Sequence, residues 1–280
     1  MSTRPVLRLP ALLLCAGLLF AACGGSDDAD TSSAPAKKKA AADVEHLVKD
    51  GKLTVCSDIP YAPFEYEDGG ALKGVDVDLM KGIAGELGLE ADFRDTDFDG
   101  IFASLAAGNC DVIASSVSIT DERKQANNFT EGYFEINQSM LVRKGEESKY
   151  KDFASLEGKT IGVQSETTGA AFATTEAADV GARIKEFTGA DELFTALKAK
   201  QIDAVVQDFP INSYNAVQTG DTVVSATFDS DEAEQYGFVV PKDKPKLLAA
   251  IDDALRSLHD NGRYDEIIEE YLGDVTATKS

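Results

Sequence analysis

The stretch Asp111–Lys124, DVIASSVSITDERK, constrains the fold of this chain most tightly. An apolar run, Val112, Ile113 and Ala114, leads into three hydroxyls, Ser115, Ser116 and Ser118. Thr120 and Asp121 follow, both residue types that cap helices, and then Glu122, Arg123 and Lys124. The pattern predicts a short buried strand, a polar turn and a helix start. Such a strand end is a natural receptor for a small anion: hydroxyls and free backbone amides donate to it, and a guanidinium grips a carboxylate through two bonds. The same residues also fit an ordinary strand-turn-helix with a solvated arginine, and composition alone does not choose between the two.

The N-terminus reads as a targeting segment. Arg4 and Arg8 form a basic start, and Ala11 to Ala22 is apolar but too short to span a membrane. It ends in LFAAC, which looks like a lipobox with Cys23 as the lipid-bearing residue; a plain cleaved signal with Cys23 incidental is the alternative. Residues 1–22 are therefore expected to be a lipoprotein signal peptide. Residues 23–45, rich in Gly, Ser, Asp, Ala and Lys, form a flexible, lipid-anchored linker. Loss of Arg4 and Arg8 leaves 25 basic and 49 acidic residues, a net charge of −24. That balance argues against nucleic acid or an anionic membrane face as a partner.

The folded part alternates strands and helices. Lys52–Cys56 predicts a first strand, followed by Asp58, Tyr61 and Phe64 in a loop enforced by Pro60 and Pro63. Leu79, Ile83 and Leu87 share one helix face, and Leu89–Phe93 is a second strand. A helix opened by Asp97-Phe98-Asp99-Gly100 leads to the Asp111 unit. A second series follows: strand Thr160–Gln164, helix Ala170–Ala178, strand Arg183–Phe187, helix Asp191–Lys198 and strand Asp203–Gln207. Strands near 138–143 and 236–240 are expected to connect the two units, before two closing helices. Cys56 and Cys110 are expected as free, buried thiols: placed in line on neighbouring parallel strands they would lie over ~10 Å apart at about 3.3 Å per residue. His46 and His259 have no metal-like spacing, so no metal site and no cofactor is expected.

Eight blocks, in order, carry a family resemblance: LTVCSDIPYAPFEY, LKGVDVDLM, DFDGIFASLAAG, DVIASSVSITDERK, GKTIGVQSETTG, DAVVQD, YGFVV and NGRYDEIIEEYLG. Together they resemble the polar-amino-acid solute-binding proteins of ABC importers. The resemblance implies an α/β, bilobed periplasmic-binding-protein fold, two lobes joined by two hinge strands. Lobe 1 would comprise residues 46–140 and 236–280, and lobe 2 residues 141–235. A clamp of this kind closes by hinge motion around its ligand.

The resemblance also implies receptors for a free L-amino acid. Arg123 matches the position that pairs with the α-carboxylate, helped by Ser118 and the backbone around Ser116, with the Thr168 amide joining from lobe 2. Asp208 matches the aspartate that takes the α-ammonium, with Ser116 as a second acceptor. Asp58, Tyr61, Phe98, Gln164 and Gln207 match side-chain pocket positions, with Asp76 behind them. The pattern of Ser115, Ser116 and Ser118 with Tyr61 and Asp58 is most similar to members that bind arginine, lysine, ornithine or histidine, and next to those that bind glutamine. One departure stands out: Glu166 replaces the first glycine of the family's GTTG turn.

The partners implied are a free L-amino acid and ABC permease subunits in the cytoplasmic membrane. The protein is expected to act as an exported monomer, lipid-anchored through Cys23 on the outer face of that membrane. It carries no Gly-x-Ser-x-Gly, HExxH, Walker A or dinucleotide fingerprint, so it is expected not to be an enzyme. The alternatives are a dehydratase of the arogenate or prephenate type on the same fold, or a ligand-sensing input protein.

Overall fold

A computed structural model describes residues 44, 46–229 and 233–276, with the side chains of 274–276 excepted. The expected signal peptide, Cys23 as the expected site of lipidation and, apart from Val44, the expected linker lie outside the described residues.

The chain opens with β1 (Lys52–Ser57), a hairpin of β2 (Tyr66–Asp68) and β3 (Ala71–Lys73), and α1 (Val75–Glu86). It continues through β4 (Glu90–Asp95), α2 (Phe98–Ala106), β5 (Val112–Ile113), α3 (Asp121–Ala126) and β6 (Asn127–Phe129). It then crosses along β7 (Phe134–Ile136) into a second series: β8 (Gln138–Arg143), a 3-10 turn at Phe153–Leu156, β9 (Thr160–Gln164) and α4 (Thr168–Val180). That series continues with β10 (Arg183–Phe187), α5 (Ala190–Lys198), β11 (Ala204–Asp208), α6 (Phe209–Thr219) and β12 (Thr222–Phe228). The return runs through β13 (Glu234–Tyr236) and β14 (Val239–Pro241), and the chain ends in α7 (Pro245–Asp260) and α8 (Arg263–Thr276).

Two five-stranded sheets result, ordered β4-β1-β5-β14-β6 and β10-β9-β11-β8-β12. In each, the first three strands are parallel and the last two join antiparallel. The central strands β1, β5 and β11 are apolar and buried, while β4 and β10 are half-exposed edges. Burial on both faces is what a near-continuous apolar strand in a helix-covered parallel sheet requires. The carboxyl ends of the parallel strands, where open α/β sheets take ligands, carry the hydroxyls and carboxylates singled out in the sequence.

The crossings differ from expectation. Gln138–Arg143 belongs to the second sheet, and the run Tyr236–Val240 breaks at Gly237 into two strands in different sheets. The hinge is the antiparallel pair β7–β13, in which Phe134 opposes Tyr236 and Ile136 opposes Glu234. The uninterrupted apolar character of YGFVV conceals this break, because both halves are buried: Tyr236 packs edge-on against Phe64, and Phe238 stacks on Tyr133.

The cysteine expectation is overturned. Cys56 and Cys110 form a disulfide, with Cα atoms 5.7 Å apart. The straight-strand extrapolation failed because β5 is only two residues long, so Cys110 does not continue its line. Cys56 is the register partner of Ile113 in the next residue row. The chain descending from α2 brings Cys110 onto that face, into a small core with Phe98, Ile101, Leu105 and Val239. With a sequence separation of 54, the crosslink restricts the unfolded chain by about 4 kcal/mol in the loop-entropy account.

At the opposite, amino end of β5, Asp111 is fully buried and fully engaged. Its carboxylate accepts from the backbone amides of Val48 and Thr54 and forms a 3.1 Å ion pair with Lys244, which also donates to the His46 carbonyl. One carboxylate thus joins the entering chain, the first strand and the start of α7.

Candidate functional site

In the first lobe, β1 and β5 end side by side, and their polar continuations are cross-linked. The Ser57 hydroxyl donates to the Ala114 carbonyl (2.7 Å), and the Asp58 amide donates to Ser115 Oγ (2.9 Å). Ser115 in turn donates to Glu65 Oε1 (2.8 Å), and the Ser116 amide donates to Asp76 Oδ2 (2.8 Å). Ser116 has φ near +49°, so the chain turns sharply there, and Tyr133 holds the other Asp76 oxygen at 2.6 Å. Thr120 caps α3 by accepting from the Arg123 amide (3.1 Å). The cap sets Arg123 in the first turn, where its side chain folds back: Nη1 donates to the Ser118 carbonyl (2.9 Å), and the guanidinium lies 5.5 and 5.3 Å from the Phe98 and Phe102 ring centres.

In the second lobe, β9 ends at Gln164 and Thr167 caps α4 by accepting from the Ala170 amide (3.0 Å). Gln164 Nε2 reaches across to Asp58 Oδ2 (2.6 Å) and also donates to the Thr188 carbonyl (2.9 Å). The Glu166 carbonyl accepts from Arg123 Nη2 (2.9 Å), and the Ser118 and Thr168 hydroxyls lie 3.3 Å apart. Glu166 has φ near +62°, a left-handed conformation that favours glycine. Asp208, at the end of β11, accepts from Gln138 Nε2 (2.6 Å), from the Tyr61 hydroxyl (3.2 Å) and from the Tyr236 hydroxyl. Gly169 makes room for the Gln138 carboxamide: a Cβ there would meet its Oε1 at 2.8 Å.

These residues converge on one narrow cavity, lined by Asp58, Tyr61, Phe98, Ser115, Ser116, Ser118, Arg123, Gln164, Thr167, Thr168 and Asp208. Burial pushes the Asp58 carboxyl up to about 7; the Gln164 bond works against this, and Asp97, Asp95 and Asp99 add to it. Asp208 is pushed up to about 6 by burial, opposed by the Tyr236, Gln138 and Tyr61 bonds and reinforced by Glu234. Behind them, burial raises Asp76 to about 7 and pushes Glu65 well above the usual carboxylate range, with Asp76 adding to the effect on Glu65. Burial pulls the Arg123 guanidinium down, and Asp208, Glu234, Glu122 and Glu166 oppose it. Among the lining residues, Gln164 Oε1 is buried without a hydrogen-bond partner. The cavity thus sets two carboxylates against one guanidinium. Chemically it suits a ligand with one anionic group and several N–H donors.

Of the residues named from the sequence, Gln207 alone does not line this cavity. Strand alternation turns it away from Asp208, and it sits in register with Ser139, whose hydroxyl donates to its carbonyl. Four participants were not assigned from sequence. Thr167 was within reach as the cap of α4. Glu65, Gln138 and Tyr236 act through partners 28 to 70 residues away, a link no local pattern carries. Among the described residues no group of three or more His, Cys, Asp or Glu could hold a metal ion, and no helix is long and apolar enough to cross a membrane.

Comparison with known proteins gives a consistent picture. The profile of the bacterial extracellular solute-binding proteins, family 3, matches residues 53–274. A probable histidine-binding protein of Neisseria gonorrhoeae is 30% identical over 267 residues, 94% of each chain. The ABC transporter glutamine-binding protein GlnH of Bacillus subtilis (strain 168) is 30% identical over 280 residues, 98% of this chain and 99% of the relative. An ancestral arginine-binding protein, solved with arginine and with glutamine, is 35% identical. Its TM-scores are 0.74 and 0.75, over 79% and 80% of this chain and 98% and 99% of the other. These relatives are named as binding proteins, not as enzymes.

Proposed function

The chain belongs to family 3 of the bacterial extracellular solute-binding proteins and has the bilobed fold of the periplasmic amino-acid-binding proteins; from that premise we propose that it captures a free basic L-amino acid for an ABC importer. In this reading Arg123 receives the α-carboxylate, assisted by Ser118 and the Thr168 amide, and Asp208 receives the α-ammonium. Tyr61 and Phe98 flank the side chain, and Asp58 takes its distal cation. Arg123 and Asp208 sit at the ends of different sheets, so a zwitterion bridging them favours closure of the cleft. Residues 1–22 direct export, Cys23 carries the lipid, and the loaded protein delivers to permease subunits in the cytoplasmic membrane.

The single observation that carries the basic-ligand reading is the charge balance of the cavity. Asp58, Asp208 and Arg123 together bear one net negative charge when ionised, and a basic amino acid brings one net positive charge. The unpartnered Gln164 Oε1 beside Asp58 also suits a donor-rich side chain such as a guanidinium. Glutamine is the second reading, favoured by Gln164: a carboxamide already sits against Asp58 at 2.6 Å, so an amide is sterically acceptable there.

The test is calorimetric titration of the purified protein, refolded free of ligand, against the twenty amino acids and ornithine. Micromolar or tighter binding of one or a few basic residues supports the proposal. Tight glutamine binding with none by basic residues retains an amino-acid receptor and overturns the assignment of Asp58. Binding of no amino acid overturns the reading altogether.

A further inference from the structure

The two strands of the hinge end on the same carboxylate. Tyr236 is the last residue of β13 and donates its hydroxyl to Asp208 Oδ2. Gln138 opens β8, two residues beyond the end of β7. It pairs in register with Asp208 and donates to Oδ1 at 2.6 Å, while the same Nε2 lies 3.2 Å from Glu234 Oε1 on β13. Tyr236 is fully buried and wedged among Phe64, Tyr133 and Phe134, so its hydroxyl has little freedom to point elsewhere. Tyr61, from the first lobe, supplies the third donor at 3.2 Å. A carboxylate offers about four acceptor positions. Three are filled by the protein's own donors, and the fourth remains for a ligand.

We propose that Tyr236 is a positioning residue: through its hydroxyl the hinge keeps Asp208 ionised and aimed into the cavity, so that ammonium capture depends on hinge geometry. This rests on the amino-acid-binding reading and deepens it. Asp208 is buried, and burial disfavours its charged form; the Tyr236 hydroxyl is the largest influence opposing that. The charged and titratable groups around this carboxylate are Tyr61 from the β1 loop, Tyr236 and Glu234 from β13, and Arg123 from α3. Asp58 faces the same cavity from the first lobe. Glu234 works in the opposite direction from Tyr236, raising Asp208. The hinge strand therefore carries both an ionising and a protonating influence on one ligand-receiving group. With the Tyr236 hydroxyl gone, protonation of Asp208 moves to higher pH, and the affinity for an ammonium falls near neutrality but recovers in mild alkali.

The experiment is calorimetric titration of L-arginine and L-glutamine into the full-length protein from pH 5.5 to 8.5, for wild type, Tyr236→Phe and Tyr133→Phe. Tyr133→Phe is the control: Tyr133 packs in the same aromatic group, but its hydroxyl serves Asp76, not Asp208. For whichever amino acid binds, Tyr236→Phe should bind roughly threefold to tenfold more weakly at pH 6.5 and within about twofold of wild type at pH 8.5, the mark of a carboxylate titrating about one unit higher. Tyr133→Phe, which frees an oxygen of Asp76, should leave the midpoint of the Asp208 carboxyl in place. Uniform weakening of Tyr236→Phe at every pH, or an unchanged profile, overturns the proposal while leaving the amino-acid receptor intact. Carbon-detected NMR titration of the Asp208 carboxyl, assigned by its loss in Asp208→Asn, needs no ligand. A midpoint that moves up in Tyr236→Phe supports the proposal even if neither probe binds, and an unmoved midpoint sinks it.

Discussion

The two lobes use the same frame, three parallel strands with two antiparallel additions, but they support their polar groups differently. In the first lobe the receptor groups are held from within. Ser115 is fixed by Glu65, the Asp58 backbone by Ser115, the Ser116 backbone by Asp76, and Arg123 by Ser118, Phe98 and Phe102. In the second lobe support is shared between the lobes. Gln164 is held by its own lobe's Thr188 and by Asp58, Thr168 leans on Ser118, and Asp208 is held by its own lobe's Gln138, by Tyr61 and by the hinge residue Tyr236. The difference teaches an order of events. On opening, the first lobe should keep most of its supports, whereas the second should lose the share that comes from Asp58, Ser118 and Tyr61. Ligand should therefore dock first on the first lobe, and closure should follow.

The largest expected effect comes from removing the charged receptor of either half. Arg123→Ala or Asp208→Ala leaves a buried ligand charge without its partner, and each should cost about 3–5 kcal/mol of binding free energy. Titration calorimetry checks this, with circular dichroism to show the fold intact; near-native affinity in either variant would end the zwitterion-bridge model. Next comes the crosslink peculiar to the first lobe. Cys56→Ser with Cys110→Ser should lower unfolding stability by about 2–4 kcal/mol in denaturant titrations, and an unchanged midpoint would deny it a stabilising role.

A smaller and more selective effect concerns Asp58. Asp58→Asn should weaken arginine by about 1.5–3 kcal/mol, because a hydrogen bond to a charged group is lost, and should weaken glutamine less. Equal losses would remove Asp58 as the side-chain receptor. The pH dependence has two opposite signs. Asp58, near 7, and Asp208, near 6, are both raised above the ordinary 3.8, so arginine affinity should fall as pH drops from 8 through 6. Without ligand, the folded state binds more protons than the unfolded state over that interval. Those two groups therefore make the fold more stable as pH falls, and a melting temperature that rises from pH 8 to pH 5.5 would show it. The smallest change is Glu166→Gly, which relieves the left-handed turn of the second lobe while keeping the carbonyl that meets Arg123. It should change stability by less than about 1 kcal/mol and leave arginine affinity near wild type.

The legibility of the sequence divides along the same line. The first lobe's site is concentrated in Asp111–Lys124, where strand end, turn and helix cap lie within fourteen consecutive letters. Residue type and spacing could speak there. The second lobe's site depends on meetings across the chain; Tyr61 and Asp208 are 147 residues apart. Position in the fold therefore came from family resemblance rather than from local pattern. Four of the elements that escaped notice did so for physical reasons. β6, Asn-Asn-Phe, has no apolar alternation. α6 buries only Pro210, Ile211, Asn212 and Ser213, all near its start, so its apolar period is weak. The hinge strands are three residues each, below the length at which periodicity can be read. The cysteines failed differently: each was placed on a straight strand, and a two-residue β5 does not extend one.

The buried Asp111 carboxylate has a mechanical meaning. It gathers Val48, Thr54 and Lys244 at the amino ends of β1 and β5, across the first sheet from the cavity. A pull on the chain where it enters the fold is therefore shared, through this carboxylate, among β1, β5 and the start of α7. The hinge lies outside that line of force.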